Sequence, residues 1–292
     1  MKRLRSSLWI ILGMIFIAFL FLTVHLFSGS GKTHIAVILP ENSISDFRTF
    51  QEGIYDSAQD NDVMIDVIYT SESAKEELEK LLNEQKKHDC DGILLLNPEQ
   101  FYTGSEADYE SLMKKVKLPI FSITCDEAFF HGDYIDRLEC VSDTAYEKIK
   151  ENLQGTVFIS ADENKKLSMR LADKTKQYLE SYGEIYKYDN SLNEQDKGAQ
   201  TVIDCGGNLD ADTLSQYGEA IILCPSEADY TLIANGSADM IVTANEYSFG
   251  YRSTEYLKNR IDGKSTAFII PEVSIITADN LFDSAHDALI FE

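Results

Sequence analysis

The chain has 292 residues, with 26 Lys and Arg against 49 Asp and Glu, and a formal net charge of -23 at pH 7. Hydrophobic residues make up 44%, which is too many for a disordered acidic chain and typical of a globular protein. The acidic balance excludes nucleic acid as a natural partner, because phosphate backbones attract lysine and arginine.

The start of the chain differs from the rest in charge and hydropathy. Residues 1–28 contain three basic residues and no acid, so the remainder has 23 basic against 49 acidic residues. Residues 8–27 contain no Asp, Glu, Lys or Arg and would span about 30 Å as a helix, the thickness of a bilayer core. The basic flank predicts a single-pass cell-membrane protein with a cytoplasmic N-terminus and an extracellular body at residues 29–292.

Two interpretations of this apolar segment stay open. Residues 1–28 are predicted to be an uncleaved membrane anchor, followed by a short linker at residues 29–33. The alternative is a signal peptide that is cut near Ser28 or Ser30. Signal peptides usually have a shorter apolar region, of about 7–15 residues, so the length of this one favours the anchor.

After the linker, short apolar runs alternate with segments of helical periodicity. Strands are predicted at 34–39, 63–68, 92–96, 119–123, 139–142, 156–160, 184–188, 200–204, 219–224, 239–243 and 267–276. Helices are predicted at 46–60, 73–88, 144–153, 164–182, 210–217, 226–235 and 247–260. Continuous apolar strands that alternate with helices indicate parallel sheets covered on both faces. About 260 residues exceed one compact sheet, so we predict two doubly wound lobes, with ligands at the carboxyl ends of the strands.

Four stretches in this order resemble the type I periplasmic binding protein fold, shared by sugar-binding proteins of ABC importers and lactose-repressor-like regulators. The resemblance covers roughly residues 34–283. The stretches are His34–Leu39 followed by Phe50-Gln51-Glu52-Gly53, then Cys90–Pro98, then Leu118–Asp126, and finally Gly236–Asn245 followed by Gly250-Tyr251.

The resemblance implies two lobes with a hinge of three crossing segments and a ligand cleft between them. The chain would cross after Asp126, near Asn245 and near Pro271. The N-terminal lobe would comprise about residues 33–127 plus 246–270. The C-terminal lobe would comprise about residues 128–245 plus 271–292.

The resemblance also implies ligand contacts in the first lobe. Ser45, Asp46 and Phe47 occupy the loop after the first strand, where an aromatic ring can stack on a sugar and polar neighbours can bind its hydroxyls. Phe47 is equally compatible with a core position in the first helix. Asp126 stands where the family commonly uses an aspartate against sugar hydroxyls, and a hinge or capping role is the alternative. Glu127 follows it where the family often has arginine.

Four further residues match family ligand positions in the second half of the chain. Asn164 and Arg170 lie in the loop and helix that follow the strand predicted at 156–160, and a surface position is the alternative for the arginine. Asn245 stands where the family places a glutamine or asparagine of the cleft. Ser226 replaces an aspartate that commonly binds ligand, which weakens the assignment to a sugar.

No catalytic or metal-binding motif stands out. The five cysteines include no CxxC pair, and their positions at the ends of apolar runs favour buried thiols over metal ligands. The sequence contains no HExxH, GxSxG or GxGxxG motif. We therefore predict a non-catalytic protein without a cofactor or metal.

These observations predict an extracellular solute-binding protein, anchored through residues 8–27, that closes on a small polar ligand such as a carbohydrate. Its partner would be an ABC permease, for import, or a sensor histidine kinase. The alternative is a structural or interaction module on a binding-protein scaffold that has lost its ligand chemistry.

Overall fold

A computed structural model of the chain describes most of the region that follows the apolar segment. The described residues are 32–41, 48–71, 73–181, 186–188, 200–224, 230–271 and 273–282. Contacts separate a short unit, Met1–Thr33, from a large unit, His34–Glu292, whose fold follows. No helix within the described residues is both long and apolar enough to cross a bilayer. The predicted membrane span at residues 8–27 lies outside them.

The first lobe is built on a five-stranded sheet with the order β2-β1-β3-β4-β5. Its strands are β1 Thr33–Pro40, β2 Val63–Thr70, β3 Gly92–Leu96, β4 Ile120–Thr124 and β5 Asp133–Asp136. The β1–β3, β3–β4 and β4–β5 pairs are parallel. Every residue of β3 is buried, as expected for a central strand of a sheet that is covered on both faces.

Helices cover both faces of this sheet. They are α1 Arg48–Asp60, α2 Lys75–Lys87, α3 Glu106–Lys115 and, from much later in the chain, α8 Glu246–Ile261. Side chains alternate between the faces of a strand, so Ile93 packs with α2 and α3 while Leu94 packs with α1 and α8.

The second lobe is built on a six-stranded sheet with the order β11-β10-β9-β8-β6-β7. Its strands are β6 Val157–Ala161, β7 Tyr186–Tyr188, β8 Thr201–Cys205, β9 Glu219–Leu223, β10 Met240–Ala244 and β11 Val273–Thr277. All pairs are parallel except β10–β11, which is antiparallel. Its helices are α4 Asp143–Glu151, α5 Lys166–Ser181, α6 Ala211–Leu214 and α7 Thr231–Ala234.

The two-lobed architecture predicted from the sequence is confirmed, with three local corrections. Helix α3 was not predicted. The strand predicted at 139–142 is wrong, because residues 137–140 form a short 3-10 helix. Leu138 and Val141 are buried in the core instead of pairing with a strand. The strand of this region is β5, which pairs with β4, so the first sheet continues past the lobe boundary predicted after residue 127.

Candidate functional site

The carboxyl ends of strands from the two sheets meet at one place. Strand β4 ends at Thr124 and leads into Cys125 and Asp126, whereas β6 ends at Ala161 and leads to α5, which begins at Lys166. The ammonium group of Lys166 pairs with the carboxylate of Asp126, which joins the two lobes. Ligands of open α/β sheets bind at the carboxyl ends of the strands, so this junction is the candidate ligand cleft.

Asp126, predicted as a ligand contact, uses both carboxylate oxygens within the protein. Its Oδ1 accepts the backbone N–H of Ala128 at 3.2 Å and caps the short 3-10 helix Glu127–Phe129. Its Oδ2 pairs with Lys166, whose ammonium group also lies 6.0 Å from the centre of the Phe129 ring. A ligand hydroxyl that binds Asp126 must therefore share the carboxylate with Lys166 or displace it.

Arg170, the second predicted contact from this region, reaches from α5 to the first lobe. Its Nη1 donates to the carbonyl of Cys125, and its Nη2 lies 3.4 Å from carboxylate oxygens of both Glu127 and Asp136. The guanidinium carbon is 5.9 Å from the centre of the Phe130 ring, within cation–π range. Glu127, which replaces the arginine expected from the family, thus contributes to an ion-pair cluster between the lobes.

Lys174 continues the same face of α5. Lys166, Arg170 and Lys174 follow at four-residue spacing, which places their side chains in one row, here called the α5 cation row. Lys174 Nζ donates to the carbonyls of Leu138 and Val141, at 3.0 Å each. Burial lowers the pKa of Lys174, and the nearby acids act in the opposite direction. The α5 cation row therefore holds the segment from Cys125 to Val141.

A buried ion pair joins two of the segments that connect the lobes. The first connection follows β5 and contains Arg137, and the second contains Asn245 and the first residue of α8, Glu246. Arg137 Nη2 donates to Glu246 Oε1 at 2.8 Å, with only 9% of the arginine side chain exposed. Burial disfavours the charge of Arg137, but the carboxylate of Glu246 raises its pKa overall. The third connection lies between α8 and β11.

The backbone at the end of β3 turns sharply toward this ion pair. Asn97, the residue after β3, has a left-handed backbone with φ of 47°, which asparagine adopts more readily than most residues. Its Oδ1 accepts from Arg137 Nη1 at 3.5 Å. The turn at Asn97 therefore ends the strand and also places a polar group beside Arg137.

Glu99 organises the end of β4 from the neighbouring turn. Its carboxylate accepts from Thr124 Oγ1 at 2.7 Å and from the backbone N–H of Cys125 at 3.2 Å. The Cys125 thiol also donates to it, at 3.0 Å. Burial, together with the Glu99 charge, raises the pKa of Cys125, so this thiol stays protonated and unreactive.

The two predicted asparagines serve local structure. Asn245 Oδ1 accepts the backbone N–H of Ser248 at 2.8 Å and caps the start of α8. Asn164 donates through its backbone N–H and its side-chain amide to Oδ1 of Asp162, at 2.9 and 3.2 Å, and is exposed. Both lie at the carboxyl ends of second-lobe strands, where a cleft residue is expected.

The structure brings Asp126 and Arg170 together, and places Asn164 and Asn245 after second-lobe strands. Ser45, Asp46, Phe47 and Ser226 lie outside the described residues. Sequence reasoning missed Lys166, Asp136 and Glu246. The four-residue spacing of the α5 cation row is visible in the sequence, but the acids that it meets are distant along the chain and gave no signal.

No family model matches the chain, and no curated protein is similar to it in sequence. Solved structures match its fold. One is an ABC transporter solute-binding protein from Agrobacterium vitis bound with alpha-D-tagatopyranose, with a TM-score of 0.67 and 14% identity, covering 89% of this chain and 100% of that chain. Another is an ABC transporter solute-binding protein from Burkholderia graminis in complex with D-arabinose, with a TM-score of 0.64 and 16% identity, covering 86% and 97%.

A third similar structure is the XylFII–LytSN complex, with a TM-score of 0.59 and 16% identity, covering 85% of this chain and 98% of the matched chain. The order of the strands, the three connections and these matches together give the chain the fold of the type I periplasmic sugar-binding proteins.

Proposed function

We propose that the chain is a membrane-anchored extracellular solute-binding protein whose lobes close on a small polar ligand, with carbohydrates as the first class to test. The observation that carries the proposal is the junction of Asp126 with Lys166 and Arg170. It sets charged groups of both lobes at the carboxyl ends of their strands. A ligand held there contacts both lobes at once, and so favours the closed arrangement over the open one.

The chemistry of the junction suits a ligand rich in hydroxyl groups. Carboxylates accept hydroxyl donors, and the cations of the α5 row donate to hydroxyl or carbonyl oxygens. Phe130, which is partly exposed, lies next to Arg170 and offers apolar ring surface. Two proteins of similar fold are described with D-arabinose and alpha-D-tagatopyranose, which supports sugars as a starting panel.

The sequence supports a membrane anchor, and the sequence and one disulfide bond support export. The apolar run at residues 8–27 with its basic flank supports a single-pass anchor with residues 29–292 outside the cell. Cys224, after β9, is in a disulfide bond, which is typical of exported proteins. Protease treatment of intact cells tests this arrangement. The body should be digested while a cytoplasmic control protein survives, and protection of the body would contradict it.

The partner is either an ABC permease or a sensor histidine kinase. Neighbours of the same fold include ABC solute-binding proteins and the XylFII–LytSN complex, in which a second protein is named. Deletion of the chain separates the two roles. Loss of uptake of a labelled ligand supports import, whereas normal uptake with a lost transcriptional response supports sensing.

A ligand-free interaction module is the second candidate, and one observation favours it. Asp126 and Arg170 are already paired with protein groups, so the lobes are tied together by their own ion pairs. A thermal-shift screen of the full chain in detergent against sugars, nucleosides and amino acids separates the candidates. A binding protein is stabilised by at least one ligand, whereas the module unfolds at one temperature throughout the panel.

A further inference from the structure

Three potential metal ligands converge at the amino end of the first sheet, away from the candidate cleft. His34 lies at the start of β1, Asp66 lies on β2, and Cys90 lies just before β3. One donor atom from each side chain lies within 4.8 Å of the other two. The three residues span 56 positions along the chain, from His34 to Cys90, so it is the arrangement of the strands that brings them together.

The three donors lie close enough to reach one metal ion after a turn of the His34 ring, which now presents both of its nitrogens about equally to the Cys90 sulfur. The thiol sulfur of Cys90 lies 3.6 Å from Nδ1 and 3.7 Å from Nε2 of His34. Zinc bonds of about 2.1 Å to nitrogen and about 2.3 Å to sulfur put such ligand atoms about 3.6 Å apart. Nε2 of His34 lies 2.8 Å from Oδ2 of Asp66, a hydrogen-bond distance that a metal between them would widen by about half an ångström.

Burial and charge also suit a cation. His34 and Cys90 are buried, while 53% of the Asp66 side chain is exposed, so the cluster is closed on the protein side and open to solvent. Asp91 Oδ2 accepts the backbone N–H of His34 at 2.9 Å, and Gln85 Oε1 lies 3.9 Å from the Cys90 sulfur. The carboxylates near the thiol give the site a negative field that attracts a cation.

We propose that His34, Asp66 and Cys90 bind one transition-metal cation of the zinc type, with solvent in the fourth position. Imidazole, carboxylate and thiolate are the ligand types that zinc uses, and tetrahedral N, O and S coordination is its usual geometry. On binding, the S–H bond of Cys90 breaks, its proton goes to solvent, and the thiolate bonds the metal. His34 binds as the neutral imidazole and Asp66 as the carboxylate.

Such a metal would tie β1, β2 and the entry of β3 together. It would therefore stabilise the first lobe without occupying the cleft. The alternative for the same residues is a metal-free cluster, in which His34 hydrogen-bonds Asp66 and the thiol simply packs against the ring.

Cobalt(II) is the probe that distinguishes the two, because its thiolate complexes absorb in the near ultraviolet. The full chain, in detergent with a phosphine reductant, is titrated with cobalt and then with zinc. We expect a thiolate absorption band that saturates at one cobalt per chain and that zinc abolishes. Cys90→Ser should remove the band, and His34→Ala and Asp66→Asn should weaken cobalt binding by at least about tenfold.

Cys125→Ser is the matched control, because it removes another buried thiol while a serine hydroxyl can still donate to Glu99. It should retain the band. If Cys90→Ser or His34→Ala fails to fold, Asp66→Asn still tests the proposal, because the Asp66 side chain is half exposed. A folded wild-type chain that gives no thiolate band, or a band that persists in Cys90→Ser, overturns the proposal.

Discussion

Gly53 of α1 lies against the backbone of α8, and Gly250 of α8 lies against the backbone of α1. A Cβ added to Gly53 would lie 2.0 Å from the carbonyl oxygen of Tyr247, and one added to Gly250 would lie 2.0 Å from the carbonyl oxygen of Phe50. The relationship is reciprocal, so neither helix can move aside without losing its contact with the other. Both glycines belong to the sequence stretches that resemble the binding-protein fold.

Replacing either glycine by alanine should destabilise the chain, although alanine has the higher helix propensity. Gly53→Ala and Gly250→Ala would each stabilise an exposed helix by up to about 1 kcal/mol, but here the added methyl group meets backbone. We expect a loss of about 1 to 3 kcal/mol in the free energy of unfolding by urea. Gln59→Ala, at an exposed position of α1, is the control and should change stability by less than about 0.5 kcal/mol.

The buried pair of Arg137 and Glu246 should be strongly coupled. Glu246→Gln removes the negative charge beside a buried guanidinium, and we expect a loss of about 3 kcal/mol in unfolding free energy. Arg137→Met should cost a similar amount. The double variant should lose less than the sum of the two, because it leaves no unpaired buried charge. Additive losses in this double-mutant cycle would contradict a direct interaction across the hinge.

The α5 cation row should control the separation of the lobes more than the stability of the fold. Lys166 is 60% exposed, and such ion pairs contribute under about 1 kcal/mol. Lys166→Ala with Arg170→Ala should therefore leave the unfolding free energy nearly unchanged while the lobes open. Small-angle scattering should report a larger radius of gyration. Lys114→Ala with Lys148→Ala removes two charges from exposed intrahelical pairs and should leave the radius unchanged. Equal scattering from both double variants would contradict a role in closure.

Asp204 should make stability depend on pH. It is fully buried on β8, and burial raises its pKa from 3.8 to about 6. The folded state therefore holds the proton more tightly than the unfolded state. The stabilisation is complete below pH 3.8 and is lost as the pH rises through about 6. Between about pH 4 and pH 7, wild type should lose roughly 2 kcal/mol that Asp204→Asn does not lose.

The quantity to compare is the difference in unfolding free energy between wild type and Asp204→Asn at each pH, because the other titrating groups are the same in both proteins. Unfolding free energies at several pH values give that difference directly. Parallel curves for Asp204→Asn would mean that Asp204 keeps its charge in the folded state.

The sequence predicted the strands well because buried parallel strands are continuous apolar runs, as in Gly92–Leu96. Helix α3 was missed although Ser105 caps it by accepting the N–H of Asp108, and Tyr109 and Leu112 form its buried face. The strand at 139–142 was wrong because the same apolar pattern packs a connecting segment as readily as it forms a strand.

The candidate site was predicted only in part, for a physical reason. Asp126 and Arg170 could be chosen from the resemblance, but their partners depend on how the lobes meet. The pairing of Asp126 with Lys166 joins residues 40 positions apart, and that of Arg137 with Glu246 joins residues 109 apart. No local sequence pattern indicates pairs that are this far apart along the chain. The Asp126–Lys166 and Arg137–Glu246 pairs could therefore be found only in the structure.

The most direct test of the binding function is the unfolding temperature of the full chain with and without sugars, including D-arabinose and D-tagatose. At 100 times its dissociation constant, a ligand that binds only the folded state should add about 2.7 kcal/mol of stability. We predict such a shift for at least one panel member, its loss in Asp126→Ala and its retention in Lys148→Ala. A folded chain whose unfolding temperature stays constant across the panel would contradict the account.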